Sequence, residues 1–122
     1  MNNDLVFTPI RQLAELLKSR QISPTQLSEI FLDRLEQRGP SYNALTTLTR
    51  ERASRQAEQA EREISAGDYK GPLHGIPWGA KDLLATSDGI PTSWGAAPLK
   101  DQTFDFDATV VRRLEEAGAV LA

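Results

Sequence analysis

The sequence predicts an α/β fold in which two leading helices are followed by strand, helix, strand, helix and strand. Apolar residues recur at helical spacing before residue 40, and short apolar segments alternate with helical ones after it. Alternation of this kind is typical of a sheet that is at least partly parallel. The composition, with 39% hydrophobic and 25% charged residues in 122 positions, is that of a globular protein with one modest core.

Start and stop signals delimit the two leading helices. Thr8 and Pro9 fit the N-cap and the first helical position of the first helix. Ser23 and Gln26 have capping-box spacing at the start of the second helix, and Gly39-Pro40 ends it. The apolar stripes of the two helices consist of Ile10, Leu13, Leu16 and Leu17, and of Leu27, Ile30, Phe31 and Leu35.

A short strand and a long helix are predicted next. Residues 44–48 are partly β-branched and predict a strand. Residues 50–66 predict a helix that Gly67 ends, with two Glu–Arg pairs at i,i+4 spacing. Its buried side is made of small residues, which let a helix lie close to a sheet: Ala53, Ala57, Ala60 and Ile64.

The second half of the chain continues the alternation. A Pro/Gly loop leads into an apolar strand at residues 76–84, and Asp88-Gly89 marks a turn in the loop that follows. Asp107 and Gly118 fit the N-cap and the residue just past the end of another helix. Residues 119–122 begin a last apolar strand.

The position of that last strand bears on domain organisation. A parallel strand has to be covered on both faces, so we expect that Ala122 is not a domain boundary. Residues 1–122 are then the N-terminal part of a single larger domain. Residues 1–40 supply its leading helices, and residues 41–122 supply the start of its α/β core.

Charge and composition exclude several classes of function. A net charge of −3 argues against a freestanding nucleic-acid binder. The chain has no cysteine and one histidine, so neither a disulfide framework nor a cysteine or histidine metal cluster is expected. Residues 1–7 lack the basic and apolar regions of a signal peptide, and no apolar run approaches a membrane span. We therefore expect a cytoplasmic protein without a metal or other cofactor.

Lys81, followed by Asp82, interrupts the apolar run of residues 76–84. A phosphate-binding P-loop is disfavoured, because Gly75 and Gly79 have the wrong spacing and Asp82 would repel phosphate. A lysine can act as a base near neutral pH when burial favours its uncharged form, and the neighbouring apolar side chains could provide that burial. Asp82 would point to the opposite face of the strand. From these residues alone, an ordinary lysine at a strand end is favoured over a working amine.

An ordered series of motifs changes that balance. The series consists of Gly-Pro-Leu-His-Gly-Ile-Pro at 71–77, Lys81-Asp82, Gly-Ile-Pro-Thr at 89–92, Asp-Ala-Thr-Val-Val-Arg-Arg-Leu at 107–114 and Gly-Ala-Val-Leu at 118–121. In this order it resembles the N-terminal part of the amidase signature enzymes. That family includes bacterial amidases and the A subunit of the glutamyl/aspartyl-tRNA amidotransferase.

The resemblance implies a large α/β/α sandwich with a mixed sheet and a Ser–cis-Ser–Lys triad in which Lys81 is the catalytic lysine. It implies hydrolysis of the C–N bond of a small-molecule amide, with no cofactor, no direct contact with nucleic acid and no membrane. Both triad serines lie beyond Ala122 in the family pattern, so residues 1–122 alone are expected to be inactive. Ser87 and Ser93 are not assigned to the triad, because serine is common in turn-rich loops.

Two other functions stay open. The first is the A subunit of a tRNA-dependent amidotransferase, which would use glutamine as ammonia donor and bind partner subunits. The second is a non-catalytic binding module. Trp78-Gly79 and Ala96 depart from residues frequent in the relatives and favour a stand-alone amidase. His74 is interpreted as a hydrogen-bonding loop residue, and Trp78 and Trp94 as packing residues.

Overall fold

The computed structural model describes residues 4–122. The interpretation of the N-terminus as free of a signal peptide rests in part on residues 1–3, which lie outside the described residues. Four α-helices and two strands follow one another within residues 4–122: α1 (Ile10–Lys18), α2 (Pro24–Arg38), α3 (Arg50–Ser65), β1 (Pro77–Trp78), α4 (Thr109–Glu116) and β2 (Val120–Leu121). None of these helices is long and apolar enough to cross a membrane.

The two leading helices form where the sequence predicts them, but only one has the predicted cap. The Ser23 hydroxyl accepts from the backbone N–H of Gln26 at 3.2 Å, and the Gln26 side-chain oxygen accepts from the backbone N–H of Ser23 at 3.1 Å. This confirms the capping box. Thr8 is not the N-cap of α1, because its hydroxyl donates to the carbonyl of Asp4 at 2.9 Å in the preceding turn. Pro9 takes that place without a side-chain bond.

Two apolar clusters form the core. The first joins α1, α2 and the residue before β1, and its buried members are Leu13, Leu17, Ile22, Leu27 and Ile76. The second joins α2, α3 and β2 through Leu32, Ala53, Ala57 and Val120. The small residues predicted to face the core from α3 are all buried, which lets this helix lie against both α2 and β2. Burial of apolar surface is the main term that holds these layers together.

The predicted strand at residues 44–48 is wrong, because this segment is irregular in the structure. It follows Asn43, which lies in the left-handed region with φ 49°. A strand needs a neighbouring backbone to bond with. Within residues 4–122, the backbone bonds outside helices and strands include none that involves residues 45–48.

The predicted parallel pairing is confirmed by β1 and β2. Pro77 lies opposite Val120, and Trp78 lies opposite Leu121. The helix between them, α4, begins at Thr109 and has Ala108 at its N-cap, so the prediction of Asp107 as the cap is wrong. The carboxylate of Asp107 instead accepts hydrogen bonds from Ser87 and Arg52.

Both helix ends marked by glycine are confirmed. Gly67 and Gly118 have φ values of +87° and +82°, which glycine adopts without strain. After α3, the N–H of Gly67 donates to the carbonyl of Ile64 at 3.1 Å, and the N–H of Asp68 donates to that of Glu63 at 2.9 Å. Two bonds of the same pattern close α4, so each end is a Schellman motif.

His74 joins the end of α3 to the loop before β1. Its ring is completely buried and stacks on Tyr69. Nδ1 accepts from the backbone N–H of Lys70 at 3.0 Å, so Nε2 carries the hydrogen and donates to Glu63 Oε2 at 2.7 Å. The prediction of a hydrogen-bonding loop residue is confirmed. Gly118 leaves room for the ring, since a Cβ at that position would lie 2.3 Å from His74 Cδ2.

Candidate functional site

Lys81 lies in the loop that follows β1. The predicted strand at residues 76–84 is shorter than expected, because regular pairing ends at Trp78. Lys81 opens a turn in which its carbonyl accepts from the N–H of Leu84 at 3.0 Å. The Lys81 side chain is exposed, and Leu83 is 56% exposed. The burial that the sequence led us to expect for this amine is therefore not provided by the described residues.

Lys81 borders a cleft of about 470 Å³. Three loops and one strand end form its walls: the irregular segment after α2, the turn that begins at Lys81, the loop at residues 90–95, and the end of β2. The lining is mixed, with threonine hydroxyls beside Leu35, Leu83, Leu84 and Leu121. A concave cleft with apolar side chains, a few polar groups and one amine at its edge has general features of a small-molecule site.

The carboxylate of Asp82 is directed at Ser93. It accepts from the backbone N–H of Ser93 at 2.8 Å and also from the Ser93 hydroxyl. The carbonyl of the same residue, Asp82, accepts from the N–H of Trp94 at 2.9 Å. We expected strand alternation to direct this carboxylate away from the Lys81 amine. In the structure, the bonds to Ser93 direct it instead.

A second set of bonds holds the loop that carries Ser93. The N–H of Thr92 donates to the carbonyl of Gln102 at 2.8 Å, and the Gln102 amide group donates back to the carbonyl of Thr92 at 3.0 Å. Thr92 is fully buried. The predicted turn at Asp88-Gly89 is confirmed, with φ values of +65° and +69°. The loop at residues 86–102 is thus extensively hydrogen-bonded, and it is irregular apart from a 3-10 turn at Ala97–Leu99.

The two serines of this loop have hydroxyls that bond to carboxylates. Ser87 binds Asp107 through its N–H at 2.8 Å and its hydroxyl at 3.0 Å, as Ser93 binds Asp82. Ser93 is buried. These bonds give each serine a structural role, and the structure supplies no reason to assign either one as a nucleophile.

The two tryptophans differ in their surroundings. Trp78 is half-buried on β1, as expected of a packing residue. Trp94 is 56% exposed within the described residues, so its packing role stays a prediction. Its ring centroid lies 6.1 Å from that of Phe104, and its φ of +55° is unusual for a bulky side chain.

Two features of the site region were not predicted from the sequence: the role of Arg52, and the contact between Asp82 and Ser93. Arg52 is 4% exposed and bonds Asp107 from α3. The only signal for it was its place beside Ala53 on the small-residue side of that helix. No spacing rule points to the contact between Asp82 and Ser93, which are eleven residues apart in irregular chain.

The described part of the chain has no group of three or more acidic or histidine side chains that could hold a metal ion. Among the described residues that line the cleft, Lys81 contributes a primary amine. Such an amine can accept a proton when it is uncharged or bind an anion when it is charged.

The model of the family described as Amidase matches residues 26–122, which is most of the chain. The chain belongs to the amidase signature family. It is 41% identical over 116 residues to the A subunit of the glutamyl-tRNA(Gln) amidotransferase of Azoarcus sp. (strain BH72), and covers 23% of that protein. It is 38% identical over 109 residues to an acylamidase of Rhodococcus erythropolis, again over 23% of that protein. These matches cover 95% and 89% of the chain.

Solved structures of amidases have the same arrangement. The native peptide amidase from Stenotrophomonas maltophilia superposes with a TM-score of 0.84 at 34% identity, over 93% of this chain and 23% of that one. A bacterial aryl acylamidase that belongs to the amidase signature enzymes gives a TM-score of 0.85 at 32% identity, over 93% of this chain and 24% of that one. The predicted α/β class is confirmed by these neighbours. The chain spans about a quarter of the length of the relatives it matches.

Proposed function

We propose that residues 1–122 form the N-terminal part of a larger amidase domain that hydrolyses C–N amide bonds, with Lys81 as its base. The match of residues 26–122 to the amidase family is the observation that carries this proposal. The position of Lys81 at the edge of the cleft supports it, because the amine is accessible to a second group on that side. In the complete domain, the expected fold is the α/β/α sandwich with a mixed sheet.

The proposed reaction is a two-step acyl transfer. The uncharged Lys81 amine accepts a proton from a bridging serine, which in turn accepts one from a nucleophilic serine. The nucleophilic oxygen attacks the amide carbonyl, so that an ester bond forms, the C–N bond breaks, and the amine leaves with a proton. Water then hydrolyses the ester and regenerates the serine. Backbone N–H groups would stabilise the oxyanion.

This mechanism requires that Lys81 is less accessible to water than it is within residues 4–122. A charged lysine cannot accept a proton, and removal from water favours the uncharged amine. The exposed apolar surface at Leu83 and the half-buried Ala122 at the end of β2 border the same cleft. We expect the remainder of the domain to cover this side, which would desolvate the amine and complete the site.

The test is a substitution of Lys81 in the complete protein, with 4-nitroacetanilide, benzamide and glutamine as substrates. Lys81→Ala should lower kcat by about 10²- to 10⁴-fold, the usual contribution of a general base, while the circular dichroism spectrum stays unchanged. Lys100→Ala is the matched control, because Lys100 is also exposed but does not line the cleft. Unchanged turnover of every substrate by Lys81→Ala would refute the assignment.

Residues 1–122 produced alone should hydrolyse none of these amides, because the two proposed serines lie beyond them. Hydrolysis by this polypeptide, above that of its Lys81→Ala variant, would show that other residues do the chemistry. Reading the coding DNA downstream of Ala122 for a Gly/Ser-rich stretch is the simplest check on the proposed domain.

The identity to the A subunit of an amidotransferase supports a second candidate function. As the A subunit of a tRNA-dependent amidotransferase, the protein would hydrolyse glutamine and pass the ammonia to partner subunits. Purification in a stable complex, together with glutaminase activity, would favour this function. Hydrolysis of 4-nitroacetanilide or benzamide by the solitary chain would favour the stand-alone amidase.

A further inference from the structure

We propose that Asp82 and Ser93 position Lys81 for catalysis, so that Asp82 is a positioning residue of the amidase reaction. The inference rests on the proposed function of Lys81. The Asp82–Ser93 pair, defined by the bonds between these two residues, joins the loop after β1 to the loop at residues 90–95.

The backbone around Lys81 lacks the support of regular structure. The ladder between β1 and β2 ends at Trp78, and residues 79–81 belong to no helix or strand. The Lys81 carbonyl accepts one bond, from the N–H of Leu84 within the same turn. A base must lie within a few tenths of an ångström of its working position. The position of the amine therefore depends on the contacts that other segments of the chain make with this turn.

Asp82 provides those contacts. Two bonds reach its carboxylate from Ser93, and a third reaches its carbonyl from the N–H of Trp94 at 2.9 Å. Hydrogen bonds to an ionised carboxylate are about twice as strong as those between neutral groups. Since Asp82 directly follows Lys81 in the chain, a shift of Asp82 moves the Cα of Lys81 with it.

The other side of the pair is itself held firmly. Thr92, which precedes Ser93, exchanges two bonds with Gln102, one through its N–H and one through its carbonyl. Trp94, which follows, has a φ of +55°. This conformation is unfavourable for a bulky residue and persists only where surrounding contacts impose it. The N–H of the same residue donates to the carbonyl of Asp82, so this outlier lies at the contact with the lysine turn.

The chain contains a comparable pair that has no contact with the lysine turn. Ser87 donates its N–H and hydroxyl to Asp107, as Ser93 does to Asp82, and both serines belong to the same irregular loop. Neither Ser87 nor Asp107 lines the cleft beside Lys81. Ser87→Ala therefore removes one hydroxyl-to-carboxylate bond of the same kind and serves as the matched control.

The experiment measures kcat, KM and the pH dependence of kcat/KM for 4-nitroacetanilide, benzamide and glutamine with the complete protein. Asp82→Ala should lower kcat by about 10- to 100-fold with KM changed less than about 2-fold, because the base is misplaced while the rest of the cleft is intact. The pH profile should also shift, since the surroundings of the amine change. Ser93→Ala should give a smaller loss, and Ser93→Thr should restore activity by keeping the hydroxyl.

Asp82→Asn keeps one acceptor oxygen and provides a second variant if Asp82→Ala does not fold. Ser87→Ala should leave kcat and the pH profile at wild-type values. If Asp82→Asn and Ser93→Ala lower the melting temperature but leave kcat and the pH profile unchanged, the pair is structural only and the inference is overturned. In that case Lys81→Ala would still be inactive and the proposed function would stand. If the wild-type protein hydrolyses no amide, both proposals fail together.

Discussion

Arg52 and Asp107 form a bidentate ion pair between α3 and the segment that leads into α4. Arg52 Nη1 donates to Asp107 Oδ1 at 3.1 Å, and Nη2 donates to Oδ2 at 2.8 Å. The Arg52 side chain is 4% exposed and that of Asp107 is 16% exposed. Ser87 adds two further bonds to the same carboxylate. The carboxylate therefore joins a helix, an irregular loop and the segment before α4.

This ion pair makes the stability of the protein depend on pH. Hydrogen bonds from Arg52 are the main cause that lowers the pKa of Asp107 from 3.8 to about 2, with burial acting against them and Ser87 adding to them. A carboxyl group whose pKa is lower in the folded state stabilises the fold above its unfolded pKa. That stabilisation is lost as the pH falls from about 4 to about 2, and amounts to on the order of 2 kcal/mol.

We predict that Asp107→Asn lowers the free energy of unfolding at pH 7 and flattens its decline between about pH 4 and pH 2. Urea denaturation followed by circular dichroism at a series of pH values measures both effects. Asp105→Asn is the control, because Asp105 is exposed in the same segment and should leave the curve unchanged. Parallel curves for wild type and Asp107→Asn in that range would contradict the role of the pair.

Gly118 and Gly67 offer a matched comparison of backbone strain and side-chain clash. Both end a helix in the left-handed region, with φ of +82° and +87°. A Cβ on Gly67 meets nothing within 4 Å, whereas a Cβ on Gly118 would lie 2.3 Å from the buried ring of His74. Gly67→Ala should cost about 1 to 2 kcal/mol from conformation alone.

Gly118→Ala should cost the same strain and, in addition, about 1 to 3 kcal/mol for displacement of the buried His74 ring. The two free energies of unfolding from urea denaturation give the difference directly. Equal losses for the two variants would show that His74 is free to move away from Gly118.

Glu63 is the partner that satisfies the buried imidazole of His74. Burial acts to raise the pKa of Glu63, but hydrogen bonds from Gln59, Lys70 and His74 outweigh it and lower the pKa below its usual value. Glu63→Ala would leave the Nε2–H of His74 buried without this acceptor, and we predict a loss of about 1 to 3 kcal/mol in the free energy of unfolding.

Glu58→Ala is the control for this prediction. Glu58 lies on the exposed side of the same helix and forms an i,i+4 pair with Arg62 at 4.0 Å, which contributes about 0.5 kcal/mol or less. Both values come from urea denaturation at pH 7. A loss for Glu63→Ala no larger than that for Glu58→Ala would mean that water satisfies His74 as well as the carboxylate does.

Local signals explain why much of the helical structure could be predicted from the sequence. The capping box at Ser23 and the Schellman glycines at 67 and 118 act within a few residues, so their partners are visible in the sequence. The irregular conformation of residues 44–48 could not be predicted in this way, because a β-branched segment forms a strand only where a neighbour distant in the chain pairs with it. Asp107 was misassigned for a similar reason: its partner Arg52 is 55 residues away.

The sequence identified Lys81 as a candidate residue, but it did not predict the structure around that residue. Lys81 is proposed from the ordered motifs around it, which are a property of the sequence, and its catalytic role stays a prediction. Its exposure, the early end of β1 and the contact of Asp82 with Ser93 depend on tertiary bonds between irregular segments. The hydrophobic periodicity of a sequence does not indicate bonds between irregular segments. The apolar composition of residues 76–84 favoured a longer strand.

The starts of α1 and α2 allow a comparison between a residue that only resembles an N-cap in sequence and one that forms the capping bond. Ser23 accepts from the N–H of Gln26, so Ser23→Ala should lower the free energy of unfolding by about 1 kcal/mol. Thr8 is also a favoured cap residue type, but its hydroxyl donates to the carbonyl of Asp4 outside the helix. Thr8→Ala should therefore change stability by less than about 0.5 kcal/mol, as surface substitutions do. Urea denaturation of both variants at pH 7 decides the matter, since a loss near 1 kcal/mol for Thr8→Ala would restore Thr8 as the cap of α1.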